Sequence, residues 1–185
     1  MDTFTITWLP YYLDPSAPRE SVTVQERTVQ KVGADRVEQI QAKLHRVGAA
    51  EGINFKFGGR TGNTRDSHRL VQLAKTKSTD LQNRVVEQLF RTHFEEEGDI
   101  TSHAVLVDVG VATGLEAEEV RQWLREDCGG VEVDREAEEV KQTYGRGVPQ
   151  YKIQGKYHVD GADDPSAFFE AFIQVKEEEA AQNSG

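Results

Sequence analysis

Cysteine is nearly missing from this chain: Cys128 stands alone among 185 residues. One cysteine cannot close an internal disulfide or build a multi-cysteine zinc site. Glu126 and Asp127 precede it, and an activated thiol needs an electropositive setting, so this sulfur reads as an ordinary thiol. Long apolar runs are missing too. No stretch supplies the ~20 apolar residues of a membrane-spanning helix, and no apolar segment follows Met1 in the manner of a secretory leader. The expectation is a cytoplasmic protein with no membrane partner. Positive charge is scarce: 22 Lys and Arg against 32 Asp and Glu give a net charge of -10. Such a surface repels a phosphate backbone, so nucleic acid is not an expected partner.

Two chemical motifs fail on spacing. Gly58-Gly59-Arg60-Thr61-Gly62-Asn63-Thr64 suggests a phosphate loop, but that loop needs two glycines with four residues between them, followed by Lys and Ser or Thr. The lysine is absent, and a loop with a helix cap fits better. His45, His68, His93, His103 and His158 show no metal-ligand spacing, so no metal site is expected. His68 is retained as a packing or hydrogen-bonding residue, with Asp66 or a neighbouring loop as its partner.

What is present begins with an alternation. Phe4, Ile6 and Trp8 alternate with Thr5 and Thr7, which predicts a strand ended by Pro10 and Asp14-Pro15. Asp35 and Glu38 have the spacing of a helix-capping box, and Val37, Ile40, Leu44 and Val47 follow at helical spacing. Gly48 to Gly62 reads as a connector. Asn63 or Thr64 caps a helix with Leu70, Val71 and Leu73, and the next carries Leu81, Val85, Leu89 and Phe90 on one face. A short helix covers Ala104–Val109. Thr113 and Glu116 form a second capping box before Val120, Trp123 and Leu124, and Glu132–Tyr144 is again helical. Tyr151 and Ile153, then Tyr157 and Val159, alternate around Gly155-Lys156 and predict a hairpin. Asp164-Pro165 opens a closing helix with Phe168, Phe169, Phe172, Ile173 and Val175 on its apolar face. Glu177 to Gly185 reads as a flexible tail. The order of elements is α/β with a helical block inserted between strands.

Three motifs in order carry a family resemblance. Gly147-Val148-Pro149-Gln150-Tyr151-Lys152-Ile153-Gln154-Gly155-Lys156-Tyr157, with Gly161-Ala162 and the Asp164-Pro165 helix, resembles the C-terminal half of the DsbA family, in its FrnE-like branch near the 2-hydroxychromene-2-carboxylate isomerases. Thr7-Trp8-Leu9-Pro10-Tyr11-Tyr12-Leu13-Asp14-Pro15 is similar to that branch's "WRPFQLDP" strand, and Asn63-Thr64-Arg65-Asp66-Ser67-His68-Arg69-Leu70 to its "NTFDAHRL" helix start. The resemblance implies a thioredoxin-like fold and thiol–disulfide oxidoreductase activity. It also implies a cis Val148–Pro149 bond facing a groove, which makes Val148 and Pro149 the candidate substrate-binding residues. The implied partner is a peptide or thiol substrate. No cofactor is implied beyond glutathione as a groove ligand.

In the family a strand and a helix opening with Cys-x-x-Cys precede the "WRPFQLDP" strand; here Asp2-Thr3-Phe4 already lies within that strand. The expectation is a remnant thioredoxin-like domain over 1–15 and 146–176, missing the first strand and the catalytic helix. An inserted block over 20–145 and a tail over 177–185 complete it. No catalytic residue is assigned. The chain is expected to be redox-inactive, with a non-catalytic module binding peptide or glutathione at the groove as the alternative. The empty central slot of the sheet leaves three outcomes: the flanking strands close up, a second chain fills the slot in a homodimer, or the Phe4–Trp8 strand detaches and does not pair with the hairpin.

Overall fold

The computed structural model describes residues 3–145, 147–161 and 164–183. Val22–Thr23 (β1) and Arg60–Thr61 (β2) form an antiparallel pair. Between them run Val24–Val32 (α1) and Ala34–Ala50 (α2). Five helices follow: Arg65–Lys77 (α3), Thr79–Phe94 (α4), His103–Thr113 (α5), Ala117–Arg125 (α6) and Gly130–Tyr144 (α7). Gln150–Ile153 (β3) and Tyr157–Asp160 (β4) make the hairpin, and Pro165–Asn183 (α8) closes the chain. The chain divides into two compact units, Met1–Ala137 and Glu138–Gly185.

The core of the first unit is built by α3 to α6. Leu70, Leu73 and Ala74 of α3 meet Leu81, Val85 and Leu89 of α4, Leu106, Val107 and Val109 of α5, and Val120 and Leu124 of α6, joined by Leu115. α5 carries apolar residues around most of its circumference, and buries Leu106, Val107 and Val109 while Val111 stays half exposed on its outer side. Gly110 lets α6 approach it: a Cβ there would stand 2.8 Å from Val120 Cγ2. In the second unit Val159 and Ala171 are the buried hydrophobic residues among those described.

Several sequence expectations shift. The Asp35/Glu38 and Thr113/Glu116 boxes do not form. α2 starts after Gly33, which has no side chain to cap with, and Thr113 ends α5 while Glu116 precedes α6. The capping box that forms is Thr23 with Glu26 at the start of α1, each binding the other's backbone N–H. The Ala104–Val109 helix runs longer, to Thr113. The hairpin loop holds the expected Gly155-Lys156 and is one residue longer, closed by the Ile153–Tyr157 pair, with its turn centred on Gln154-Gly155. Both residues have positive φ (50° and 67°), and the Lys156 N–H donates to Ile153 O at 3.1 Å, a type I′ turn whose twist suits a hairpin. α8 continues through Glu177–Asn183.

Phe4–Trp8 is the largest departure. It joins no ladder, and the described strands form two separate two-stranded sheets. Its docking point is a side chain. The Gln82 amide accepts the Trp8 backbone N–H (3.0 Å) and donates to the Trp8 carbonyl (3.0 Å), while the Trp8 indole N–H donates to Asn83 Oδ1 (2.6 Å). One glutamine thus supplies the donor and acceptor that a neighbouring strand would have offered.

Candidate functional site

The candidate residues from the sequence sit at the start of β3. Gln150 opens the ladder with Asp160, and one step before it Pro149 accepts the Gly161 N–H at 2.9 Å. Proline has no N–H to lose here, so it suits the first position of a strand. The Val148–Pro149 peptide bond is cis. Val148 is 51% exposed, and among the described residues its backbone N–H and C=O have no hydrogen-bond partner. Gln150 Nε2 donates to the Tyr144 carbonyl at 3.0 Å, which anchors the strand start to the end of α7. Tyr151, half exposed, packs edge-on against Phe168 of α8 with ring centroids 4.8 Å apart. Among the described residues β3 pairs only with β4, so its other edge is open. Ala162, part of the quoted family motif, lies outside the described residues.

A second, polar constellation forms in the first unit around the start of α3. Arg69 is 1% exposed. Its guanidinium donates to the carbonyls of Trp123 (2.5 Å), Leu124 (3.2 Å) and Cys128 (3.0 Å) and to Asp66 Oδ1 (2.7 Å). Those carbonyls belong to the last turn of α6 and the loop after it, where helical partners run out; that of Trp123 also accepts the Cys128 N–H at 3.1 Å. The Trp123 indole returns a bond to the Arg69 carbonyl at 2.9 Å. Asp66 also receives His103 Nε2 at 2.6 Å. Burial raises the Asp66 pKa, but the hydrogen bonds from Arg69 and His103 outweigh it and hold the carboxyl below its ordinary value. Arg65 reaches Asp127 (2.5 Å) and Asp134 (3.0 Å), and Asp134 accepts the Tyr12 hydroxyl at 2.7 Å. Burial, reinforced by Asp134, pushes the Tyr12 phenol well above its ordinary range.

His68 packs as expected, and of the two partners expected it takes the loop rather than Asp66. Its Nδ1 lies 2.8 Å from the Thr64 carbonyl, and its ring meets Tyr12 edge-on at 5.2 Å; Asp66 is taken by His103. Cys128 is a free, partly buried thiol, and its carbonyl, not its sulfur, is what Arg69 uses. The Gly58–Thr64 loop serves β2 and the start of α3. Gly58 N–H donates to Glu97 Oε1 (2.8 Å), and Asn63 Oδ1 accepts the Arg65 N–H (2.9 Å). Among the described residues no group of His, Cys, Asp and Glu could hold a metal ion. Arg69 and Gln82 are not singled out by the sequence. The one available sign was the Asp66/Arg69 spacing of three, which puts both on one helix face.

The model of the DSBA-like thioredoxin domain matches residues 1–173. This chain belongs to that family. A solved structure described as a probable DsbA oxidoreductase from Streptomyces coelicolor is similar over 90% of this chain and 73% of the other, at 28% identity and a TM-score of 0.79. No curated protein matches. The fold is therefore that of DsbA-like thioredoxin domains, mostly helical with small sheets. No helix among the described residues is long and apolar enough to cross a membrane.

Proposed function

We propose that this DsbA-like chain presents an extended peptide for thiol–disulfide exchange along Val148, Pro149 and the open edge of β3, without itself carrying the exchanging thiol pair. The observation that carries the reading is Val148: solvent-exposed, with backbone N–H and C=O unpaired among the described residues at the mouth of a strand whose outer edge is open. An extended peptide gains affinity by adding main-chain hydrogen bonds to such an edge. Exchange needs a stabilised thiolate and a second thiol to resolve the mixed disulfide, and these 185 residues hold Cys128 alone.

A second reading rests on the same edge. A non-catalytic module would hold a peptide, or glutathione as a short extended tripeptide, at Val148. Two experiments test the pair. The polypeptide should not accelerate reduction of insulin by dithiothreitol, and Cys128→Ser should leave that result unchanged; acceleration lost in the variant would make Cys128 an exchanging thiol. Titration with a cysteine-containing peptide or with glutathione should move the amide NMR signals of Val148, Gln150 and Tyr151. Shifts found elsewhere, or none, would remove Val148 as the binding point under both readings.

A further inference from the structure

We propose that Lys152 selects the peptides that add to the open edge of β3, favouring an acidic residue beside an apolar one. The inference rests on the peptide-binding reading and names its substrate class. The ladder fixes which side chains share a face, all within the second unit. Lys152 stands opposite His158 and Gln150 opposite Asp160, so these four lie on one face of the hairpin, since successive side chains alternate. Tyr144 joins that face: its ring is 5.9 Å from the Lys152 ammonium and 5.5 Å from the His158 ring, and its carbonyl accepts Gln150 Nε2 at 3.0 Å. Tyr151 and Ile153 turn to the other face, where Tyr151 meets Phe168 of α8.

A peptide strand on the free edge would lie ~4.8 Å from β3, and its residue opposite Lys152 would bring its Cβ within about 4.5–5.5 Å on the same face. Lys152 is exposed and, among the described residues, has no ion-pair partner; the Tyr144 ring holds its ammonium without neutralising it. The carboxylate that β3 and β4 place on this face is Asp160. It belongs to β4, one strand spacing farther from the added peptide, and stands opposite Gln150 rather than Lys152. The nearest ladder charge that the peptide meets is therefore positive, and an Asp or Glu there gains a cross-strand pair. The neighbouring peptide residue points the other way, toward Tyr151 (40% exposed) and Phe168, where an apolar side chain fits. A second copy of β3 is the poorer occupant, because lysine on an open edge opposes edge-to-edge pairing. The net charge of -10 slows the approach of any acidic peptide, so the preference belongs to one position and not to the peptide's total charge.

The test uses short peptides of one composition, Thr and Val with a single Glu and a single Lys, in which the two charges are walked along the sequence. Bound peptides should shift the Gln150 and Tyr151 amide NMR signals. Fluorescence polarisation should find one best placement of Glu, with a dissociation constant about fivefold below that of the peptide with Glu and Lys exchanged, because opposite charges across a ladder attract and like charges repel. Lys152→Glu, at an exposed position, should reverse that order, and Lys152→Met should level it. Peptides that shift the β3 amides with equal affinity wherever Glu stands, or an order unchanged in Lys152→Glu, would overturn the selectivity and leave the peptide-binding reading in place. No amide shift with any peptide of the set would remove both.

Discussion

At the residue scale, Arg69 does the work of several caps. It is a buried cation whose compensation is spread over three backbone carbonyls and two carboxylates, Asp66 and, at 3.5 Å, Asp127. Removing one partner of such a buried set leaves the others unpaired and costs about 3–5 kcal/mol. Arg69→Met should lower the urea midpoint accordingly. Arg69→Lys should recover little of it, because an ammonium cannot span the fork that the planar guanidinium fills. His68 and His93 give the chain a pH dependence. Burial lowers both pKa values, and the His93 Nδ1 has no hydrogen-bond partner among the described residues. The unfolded chain therefore binds protons near the ordinary imidazole value, about 6.5, while the folded chain does not. Their contribution is complete above that value and is lost as pH falls through the depressed folded values. Urea midpoints should drop between roughly pH 7 and 5, and His68→Gln should flatten the drop. A midpoint constant over that span would show that these imidazoles charge without cost.

At the element scale, the Gln82 bracket decides where the N-terminal segment lies. Gln82→Ala leaves the Trp8 N–H and C=O unpaired in a partly buried site, a cost of about 1–3 kcal/mol. The expected result is faster exchange of the Trp8 backbone and indole protons, with α5 amides unchanged. The segment also shows why periodicity reads some elements and misreads others. The helices were legible because Leu70, Leu73, Leu81, Val85 and Leu89 repeat at a spacing their own core requires. The hairpin was legible because its alternation and its turn glycine agree. The Phe4–Trp8 alternation reports a chain fit to be a strand. Pairing depends on a neighbour, and here the neighbour is a side chain 74 residues away that no local pattern points to. The capping boxes fail similarly: spacing alone cannot say which of Gly33 or Asp35 stands at the helix boundary, and Asp35 falls in the first turn, where it still favours the helix dipole. Val148 and Pro149 were legible only through resemblance. Nothing in their own chemistry distinguishes them from an ordinary strand start.

At the scale of the whole molecule, burial is unevenly shared. The packed cluster belongs to the first unit, while in the second only Val159 and Ala171 are buried hydrophobics among the described residues. Local stability follows buried apolar contact, so the two units should open at different cost. Amides of β3 and β4 are expected to exchange through openings well below those that expose α3 and α5, and a denaturant titration should show the second unit unfolding first. A single transition with uniform protection would mean that the two units unfold as one. Early opening suits the proposed use of the β3 edge, since ligand-binding segments are drawn from the less stable parts of a fold.

The N-terminal segment has one more property, which concerns its length. A ladder fixes every residue against a partner, but this segment is fastened at separate points: Trp8 to Gln82 and Asn83, Tyr12 to Asp134, and Asp14 to Arg27. Between fasteners the distances are set, so one residue inserted or deleted among Leu9, Pro10 and Tyr11 must break one of them or bulge outward. The same change among Thr3–Thr7 leaves all three fasteners in place. An insertion between Trp8 and Tyr12 should therefore be poorly tolerated, in a span bounded on one side by an amide on a different element.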